Sequence, residues 1–433
     1  MLRPPPLTVT LAHSAMYDFV RLGSHVSFAK GKPPALIPFG GVGSATYLTP
    51  EYLRGRAGAI SAKPGRDAVM VAGDDAVLLW DGSNAGEVFF GRAGLAASTM
   101  ALVSGDASFD RRYLVHALKQ LEPQIKGQTV GTGIPHVDGK VLGGLRVFRP
   151  EPNEQLQVAR VLDTLDTAIR QTEAIIEKLK LVKQGLLHDL LTRGIDDNGE
   201  LRPPQSEAPH LYKASLLGWI PSKWELRRIV DLLSGVEPAM RSGPFGSALL
   251  KDDLVECGVP LLGIDNVLTE KFDAKYTRFV SEVKFTQFAR YAVRPRDLMI
   301  TIMGTVGRCC LVPDDIGRAL SSKHTWTITL DRTKYSPLLA MLQINYAPWA
   351  LSHFANDEQG GIMSAIRSET LRTLQLPSPP ADEQDRIESI LVSMSRRIER
   401  EGRVLKKCHL EKSGLADDLL TGRVRVTPLL TAT

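Results

Sequence analysis

The chain is written twice. Residues 154–195, EQLQVARVLDTLDTAIRQTEAIIEKLKLVKQGLLHDLLTRGI, align without a gap to residues 383–424, EQDRIESILVSMSRRIEREGRVLKKCHLEKSGLADDLLTGRV, at a constant offset of 229. Identities include Glu154/Glu383, Gln155/Gln384, Leu162/Leu391, Ile169/Ile398 and Lys183/Lys412. They are densest at the end, where Gly185/Gly414, Leu186/Leu415, Asp189/Asp418, Leu190/Leu419, Leu191/Leu420 and Thr192/Thr421 coincide. Both copies read as long helices, because apolar residues step by alternating fours and threes. The first seam runs Val158, Leu162, Leu165, Ile169, Thr172, Ile176, Leu179, Lys183, Leu186, Leu190. The second runs Ile387, Leu391, Met394, Ile398, Glu401, Leu405, Cys408, Lys412, Leu415, Leu419. Pro152 and Pro380 precede the two runs and Gly194 and Gly422 follow them, as starts and stops require.

A helix of ~40 residues, ~60 Å at ~1.5 Å per residue, has no way to bury a stripe against itself. The two copies are therefore expected to pack on each other as a coiled coil, with their relative direction left open. The polar intruders Thr172, Lys183, Glu401 and Lys412 act either as register devices or as side chains that snorkel from the seam edge.

Ahead of each helix lies a segment of domain length, rich in short apolar runs and glycine turns. The repeat is faint there but traceable. Asp75-AVLLWD-Gly82-SNA-Gly86 resembles Asp297-LMITIM-Gly304-TV-Gly307, and Ile134 corresponds to Ile362 before each proline stretch. The four glycines read as turn-formers. The expected class is α+β: two mixed α/β domains separated by two long helices, with a pseudo-twofold internal repeat. The expected boundaries are 1–150 for the first domain, 151–195 for the first helix and 196–215 for a linker, then 216–380, 381–424 and a tail at 425–433. At 433 residues, two or more domains are required.

Composition narrows the function classes. With 43% hydrophobic and 23% charged residues the chain folds, and its net charge of +5 permits a polyanionic partner without demanding one. No run of ~18 uncharged apolar residues is present. Cys257, Cys309, Cys310 and Cys408 form no CxxC or Cys/His ligand spacing, so a reducing cytoplasm is expected. The chain lacks GxxxxGK[ST], GxGxxG, HExxH, GxSxG and the [ND]PP[YF] tetrapeptide of amino-methyltransferases. No catalytic, cofactor or metal residue is assigned. Only the short half of a nuclease pattern occurs, in Asp138-Gly-Lys140, Asp273-Ala-Lys275 and Glu282-Val-Lys284. A stand-alone restriction endonuclease with a cryptic metal-dependent site is thus the alternative reading.

Domain, long helix, domain, long helix resembles the specificity subunit of type I restriction-modification systems. RPEPNEQ (149–155) and PSPPADEQ (377–384) are similar to the family's helix leaders, and KQGLLHDLLTRGI and KSGLADDLLTGRV to its helix ends. Tyr212-Lys213 with GWIPSKW (218–224) resembles the entry to its second domain; the first domain, near Tyr17, lacks that Gly-Trp entry. The resemblance implies a non-catalytic chain in which each domain reads one half of a split double-stranded DNA target and the helices fix the gap. It also implies two docked copies of a modification (methyltransferase) subunit, with a translocating restriction subunit completing the assembly. S-adenosylmethionine, ATP and magnesium would bind those partners and not this chain. Base edges are read by polar side chains and phosphates are held by cations. On that basis the expected DNA contacts are Lys30, Lys32, Ser83, Asn84, Arg92, His136 and Lys140 in the first domain. In the second they are Arg241, Ser242, Lys251, Arg308, Lys323, His324, Ser364 and Arg367.

Overall fold

The computed structural model describes residues 19–35, 41–131, 133–244, 248–358 and 366–426, the side chains of 356–358 excepted. Ser364 and Ile362 lie outside the described residues. Both long helices form, as Pro152–Thr192 and Ala381–Leu420. Pro152 opens the first, Pro380 directly precedes the second, and Gly194 and Gly422 take positive φ just past their ends. Among the described residues no helix is long and apolar enough to cross a membrane. The chain divides into two compact units, 1–174 with 402–433, and 175–401. Each unit holds half of each long helix.

The first unit is built on an antiparallel four-stranded sheet in the order Val26–Lys30, Met100–Gly105, Ala76–Leu79, Val88–Phe90. Ala76 to Leu79 is apolar on both faces and buried throughout, because a layer covers each side. One layer is a second sheet, Ile60–Ala62, Ala45–Leu48, Gly94–Ala96, Met70–Val71, whose central pair is parallel. The other is helix Arg111–Gly127, capped by Asp110 accepting from the Tyr113 N–H. Leu78, Val103, Leu114 and Leu118 share one core with Val158 and Leu162 of the first long helix and Leu419 of the second.

The second unit repeats this plan. Its antiparallel sheet runs Met240–Ser242, Thr325–Ile328, Leu298–Thr301, Cys309–Leu311, the same order of equivalents. A second sheet contains the parallel pair Val259–Leu262 and Leu320–Ser321. Helix Pro337–Tyr346, capped by Ser336, takes the place of Arg111–Gly127. Each domain also closes its ends with an antiparallel pair, Phe19–Arg21 with Arg146–Phe148 in the first and Glu225–Arg228 with Gln375–Ser378 in the second.

The Glu-Gln pair at the head of each long helix has the same task in both units. Gln155 accepts from the Asp110 N–H at 2.8 Å and donates to the carbonyls of Ser108 and Pro150, tying helix head to domain helix. Gln384 accepts from the Ser336 N–H at 2.8 Å and donates to the Pro379 carbonyl. Glu154 is buried and takes Arg425 on both oxygens, at 2.8 and 2.6 Å, with the Val426 N–H at 3.1 Å. Glu383, also buried, takes Arg202 at 2.5 and 2.9 Å and the Ile195 N–H at 3.0 Å. The segment beyond the tail of one helix is thus clamped to the head of the other. In the first unit Lys412 also meets Asp166 at 2.5 Å, so rising numbers along one helix face falling numbers along the other. The helix halves in that unit run antiparallel, which the periodicity alone did not specify.

The seam is buried at Val158, Leu162, Ile169, Ile176, Leu179, Leu190, Ile387, Leu391 and Leu419. Leu165, Leu186, Met394, Ile398 and Leu405 are half-buried. Leu415 departs from expectation, being 37% exposed. Near the helix ends the buried stripe moves to Leu187, Leu190 and Leu191 in one copy and Leu419 and Leu420 in the other. A 3.6-residue helix drifts ~20° per heptad from a strict 3.5 seam, and here the drift turns the ends onto the domain cores. Of the polar intruders, Lys183 and Lys412 both find acids, Glu270 and Asp166, at 2.5 Å.

Removing one member of a buried ion pair leaves an uncompensated charge, worth about 3–5 kcal/mol. Glu383→Ala is therefore expected to destabilise the second unit by that amount in denaturant unfolding. Glu154→Ala should cost the first unit less, because its partner Arg425 keeps 38% of its side-chain surface in water.

Candidate nucleic-acid interface

In each domain the hairpin following the buried central strand makes one end of the main sheet. In the first domain the turn after Leu79 lies against the loop that carries His136. The Gly82 N–H donates to the Pro135 carbonyl and the Val137 N–H to the Trp80 carbonyl, both at 2.9 Å. Lys30, at the end of its strand, pairs with Asp81 at 2.6 Å. Lys30, Ser83, Asn84 and His136 are thereby brought together, all exposed. Lys32 follows one residue beyond Gly31 and is exposed, as is Lys140, whose N–H is capped by Asp138 at 2.8 Å. Arg92 is not part of this group. It sits at the other end of the hairpin, next to Gly91, whose N–H donates to the Asp75 carbonyl, and its guanidinium lies over the Tyr52 ring at 5.0 Å.

The second domain builds the same end from equivalent backbone bonds. The Ile302 N–H donates to the His324 carbonyl as the Trp80 N–H does to that of Thr99, and Ile366 bonds Ile302 as Val137 bonds Trp80. This joins the turn 302–307, the turn bearing Lys323 and His324, and the segment entering Arg367. Arg308 is half-buried at the foot of the hairpin, its N–H donated to the Thr301 hydroxyl at 3.0 Å. Arg367 is exposed at the start of helix Ser368–Thr373, and Lys251 is exposed on a short 3-10 turn, Lys251–Asp253. Gly82, Gly86, Gly304 and Gly307 all take positive φ, the turn role read from the sequence.

Arg241 and Ser242 are corrections. Arg241 is 2% exposed and its guanidinium is consumed by Asp297, the Thr329 hydroxyl and the Ala292 carbonyl. Burial pushes the Asp297 carboxyl up, opposed by Arg241 and by hydrogen bonds from Thr329 and the Arg294 N–H. Ser242 is buried on the same strand. Neither side chain reaches a DNA surface, and the pair holds the sheet edge together instead.

Two features escaped the sequence reading. One is the glycine after each edge strand, Gly31 and Gly243. A Cβ would fall 2.1 Å from the Ala97 carbonyl oxygen in one and 2.0 Å from that of Ser321 in the other. The fragments Lys30-Gly31-Lys32-Pro33 and Ser242-Gly243-Pro244 carried the signal. The other is Arg278, whose position depends on strand pairing and has no local signature.

Residues 17–181 match the family model for the type I restriction modification DNA specificity domain. The chain is 29% identical over 424 residues to the type I restriction enzyme MjaVIII specificity subunit of Methanocaldococcus jannaschii, covering 95% of this chain and 94% of that one. The chain is thus similar to type I restriction-modification specificity subunits over nearly its whole length. The EcoBI specificity subunit of Escherichia coli is 25% identical over 213 residues, 48% of this chain and 43% of its own length. In fold, the chain is similar to the S subunit from M. genitalium, with a TM-score of 0.59 at 14% identity over 95% of this chain and 98% of that one. A specificity subunit recognises DNA and is not the catalytic member of its system. The endonuclease alternative finds no support in these relatives. Its best tripeptide, Glu282-Val-Lys284, opens a helix, with Glu282 paired to Arg318 at 2.7 Å and Lys284 to Asp253 at 2.9 Å.

Because Arg241 belongs to the core of the second domain, Arg241→Ala should strand the Asp297 carboxyl and cost about 3–5 kcal/mol in denaturant unfolding. The folded fraction should keep its DNA sequence preference. A changed preference at unchanged stability would restore Arg241 to the interface.

Proposed function

We propose that the segments 1–150 and 216–380 each read one half of a bipartite double-stranded DNA target, and that the long helices form a pseudo-twofold coiled coil that sets the gap between the halves. The observation that carries this reading is a single topology built twice on equivalent clamps, Glu154 with Gln155 and Glu383 with Gln384, while the exposed ends differ in side chains. Like frames bearing unlike tips suit two unlike half-sites at a separation fixed by protein geometry. The proposed first-domain contacts are Lys30, Lys32, Ser83, Asn84, His136 and Lys140. Arg308, Lys323, His324 and Arg367 are the proposed second-domain contacts, with Lys251 beside them.

The helices also dock partners in this reading. Exposed apolar residues recur at equal places of the repeat: Leu181 and Leu410 are 69% and 66% exposed, and Ile175 and Val404 are 45% and 43%. Each unit thus carries one such set, which fits two copies of a modification subunit. That subunit supplies S-adenosylmethionine chemistry, and a restriction subunit supplies ATP- and magnesium-dependent steps. The assembly works in the cytoplasm.

Inserting about four residues, one helical turn, at matched places in both long helices should change the gap of the methylated sequence and leave both half-sites as they were. Methylated-adenine mapping after co-expression with the modification subunit reads this directly. An unaltered gap in an assembled complex would rule out the helices as the ruler.

A further inference from the structure

We propose that a cleft in the second domain, between Lys251 and the turn of Lys323 and His324, holds one nucleotide of the second half-site. The phosphate lies against the two lysines and the base edge is read by His324 with Arg278. This rests on the bipartite reading above and assigns it a place.

The cleft is about 290 Å³, at the small end of the ~300–1,000 Å³ typical of ligand pockets, and suits one nucleotide better than a large molecule. Its apolar wall is Leu249, Leu254 and Leu261. Its cationic rim is Lys251, Arg278 and Lys323, with His324 beside them. Several cations near the cleft are neutralised by acids, as Lys284 is by Asp253 and Arg318 by Glu282. Lys251 and Lys323 have no acidic partner among the described residues, and both are exposed. Two unpaired lysines converging on one cleft raise the local potential for a phosphate.

The cleft is also rigid. The Leu261 N–H donates to the Arg278 carbonyl at 2.9 Å and the Ser322 N–H to the Leu262 carbonyl at 2.8 Å, so Leu261, Arg278 and the start of the Lys323 turn ride on one backbone ladder. Arg278 lies across Gly263, where a Cβ would stand 2.2 Å from its Nη2, and it is steadied by Asp265. Burial, followed by the Lys323 and Arg278 charges, holds the His324 imidazole below its usual range. At neutral pH it is therefore uncharged, with one ring nitrogen a donor and the other an acceptor. A neutral imidazole of that kind reads a base edge, whereas a cation would favour any phosphate.

The equivalent place in the first domain is built differently on the same frame. Tyr47 stands for Leu261, since each precedes by one residue the end of the strand paired in parallel with its neighbour. The Tyr47 hydroxyl accepts from the Ser98 N–H at 3.1 Å, so a tyrosine reaches from this strand to the neighbouring turn where the second domain has only a leucine at the equivalent place. Ser98 and Thr99 stand where Lys323 and His324 are, as the paired bonds from Trp80 and Ile302 show. A chemistry that changes while the frame repeats is what reading two different half-sites requires.

The test uses the full chain co-expressed with its modification subunit, a duplex carrying the mapped methylation motif, and a salt series. Lys251→Ala and Lys323→Ala should each lower the slope of log affinity against log salt by about one, with no change in motif. His324→Ala and the milder His324→Gln should relax preference at one base pair of the second half-site by about five- to a hundredfold, with the first half-site unaffected. Unchanged slopes and an unchanged motif, in a complex whose wild type still shows a two-part motif, would overturn the cleft alone. A wild type with no two-part motif would overturn the cleft and the bipartite reading together.

Discussion

Everything in this chain depends on how the head of each long helix is held. A carboxylate in the first turn of a helix already enjoys the partial positive charge of the free N–H groups there. Glu154 and Glu383 use that position to capture an arginine and a backbone N–H from the segment that leaves the other helix. One buried ion pair therefore does three things: it satisfies the helix head, fixes the exit of the second chain segment, and sets the direction of the helices within its unit. The neighbouring glutamines then fasten the helix head to the domain helix through Asp110 and Ser336. Because both oxygens of each glutamate are engaged, the geometry is far more restrictive than a seam of leucines, which tolerates sliding by a heptad.

With the frame fixed this firmly, the tips are free to differ. The bonds that shape each hairpin end are made by backbone atoms, Val137 to Trp80 and Ile366 to Ile302, so the side chains there carry little structural duty. Asn84, His136, Lys323 and His324 stand on scaffold that does not depend on them. Sites placed in this way can change their chemistry without loss of fold, and rigid strands beneath them keep their positions defined.

The helices were legible in the sequence because a 3.5-residue stripe repeated at a fixed offset is a strong signal, and the burial of Leu162, Ile169, Leu179 and Leu391 follows it. Leu415 was misread because a seam idealised from periodicity ignores the drift that turns helix ends toward the domains. Helix direction was not legible, since it depends on Asp166 meeting Lys412 across 246 residues of chain. Glycine turns were legible through positive φ at Gly82 and Gly304. Arg241 was misplaced for a plain reason: a cation two residues before a glycine looks the same in sequence whether it faces solvent or an aspartate 56 residues away. Arg278 was invisible for the converse reason, because only strand pairing brings it to the cleft.

The central claim is that two domains of one topology read two different DNA half-sites at a fixed separation. Genome-wide mapping of methylated adenines, in cells that co-express this chain with its modification subunit and in cells that lack it, tests this most directly. The account predicts a new two-part, asymmetric motif with a constant unread gap, present only when the chain is present. A single contiguous motif, or methylation that does not change with the chain, would contradict it.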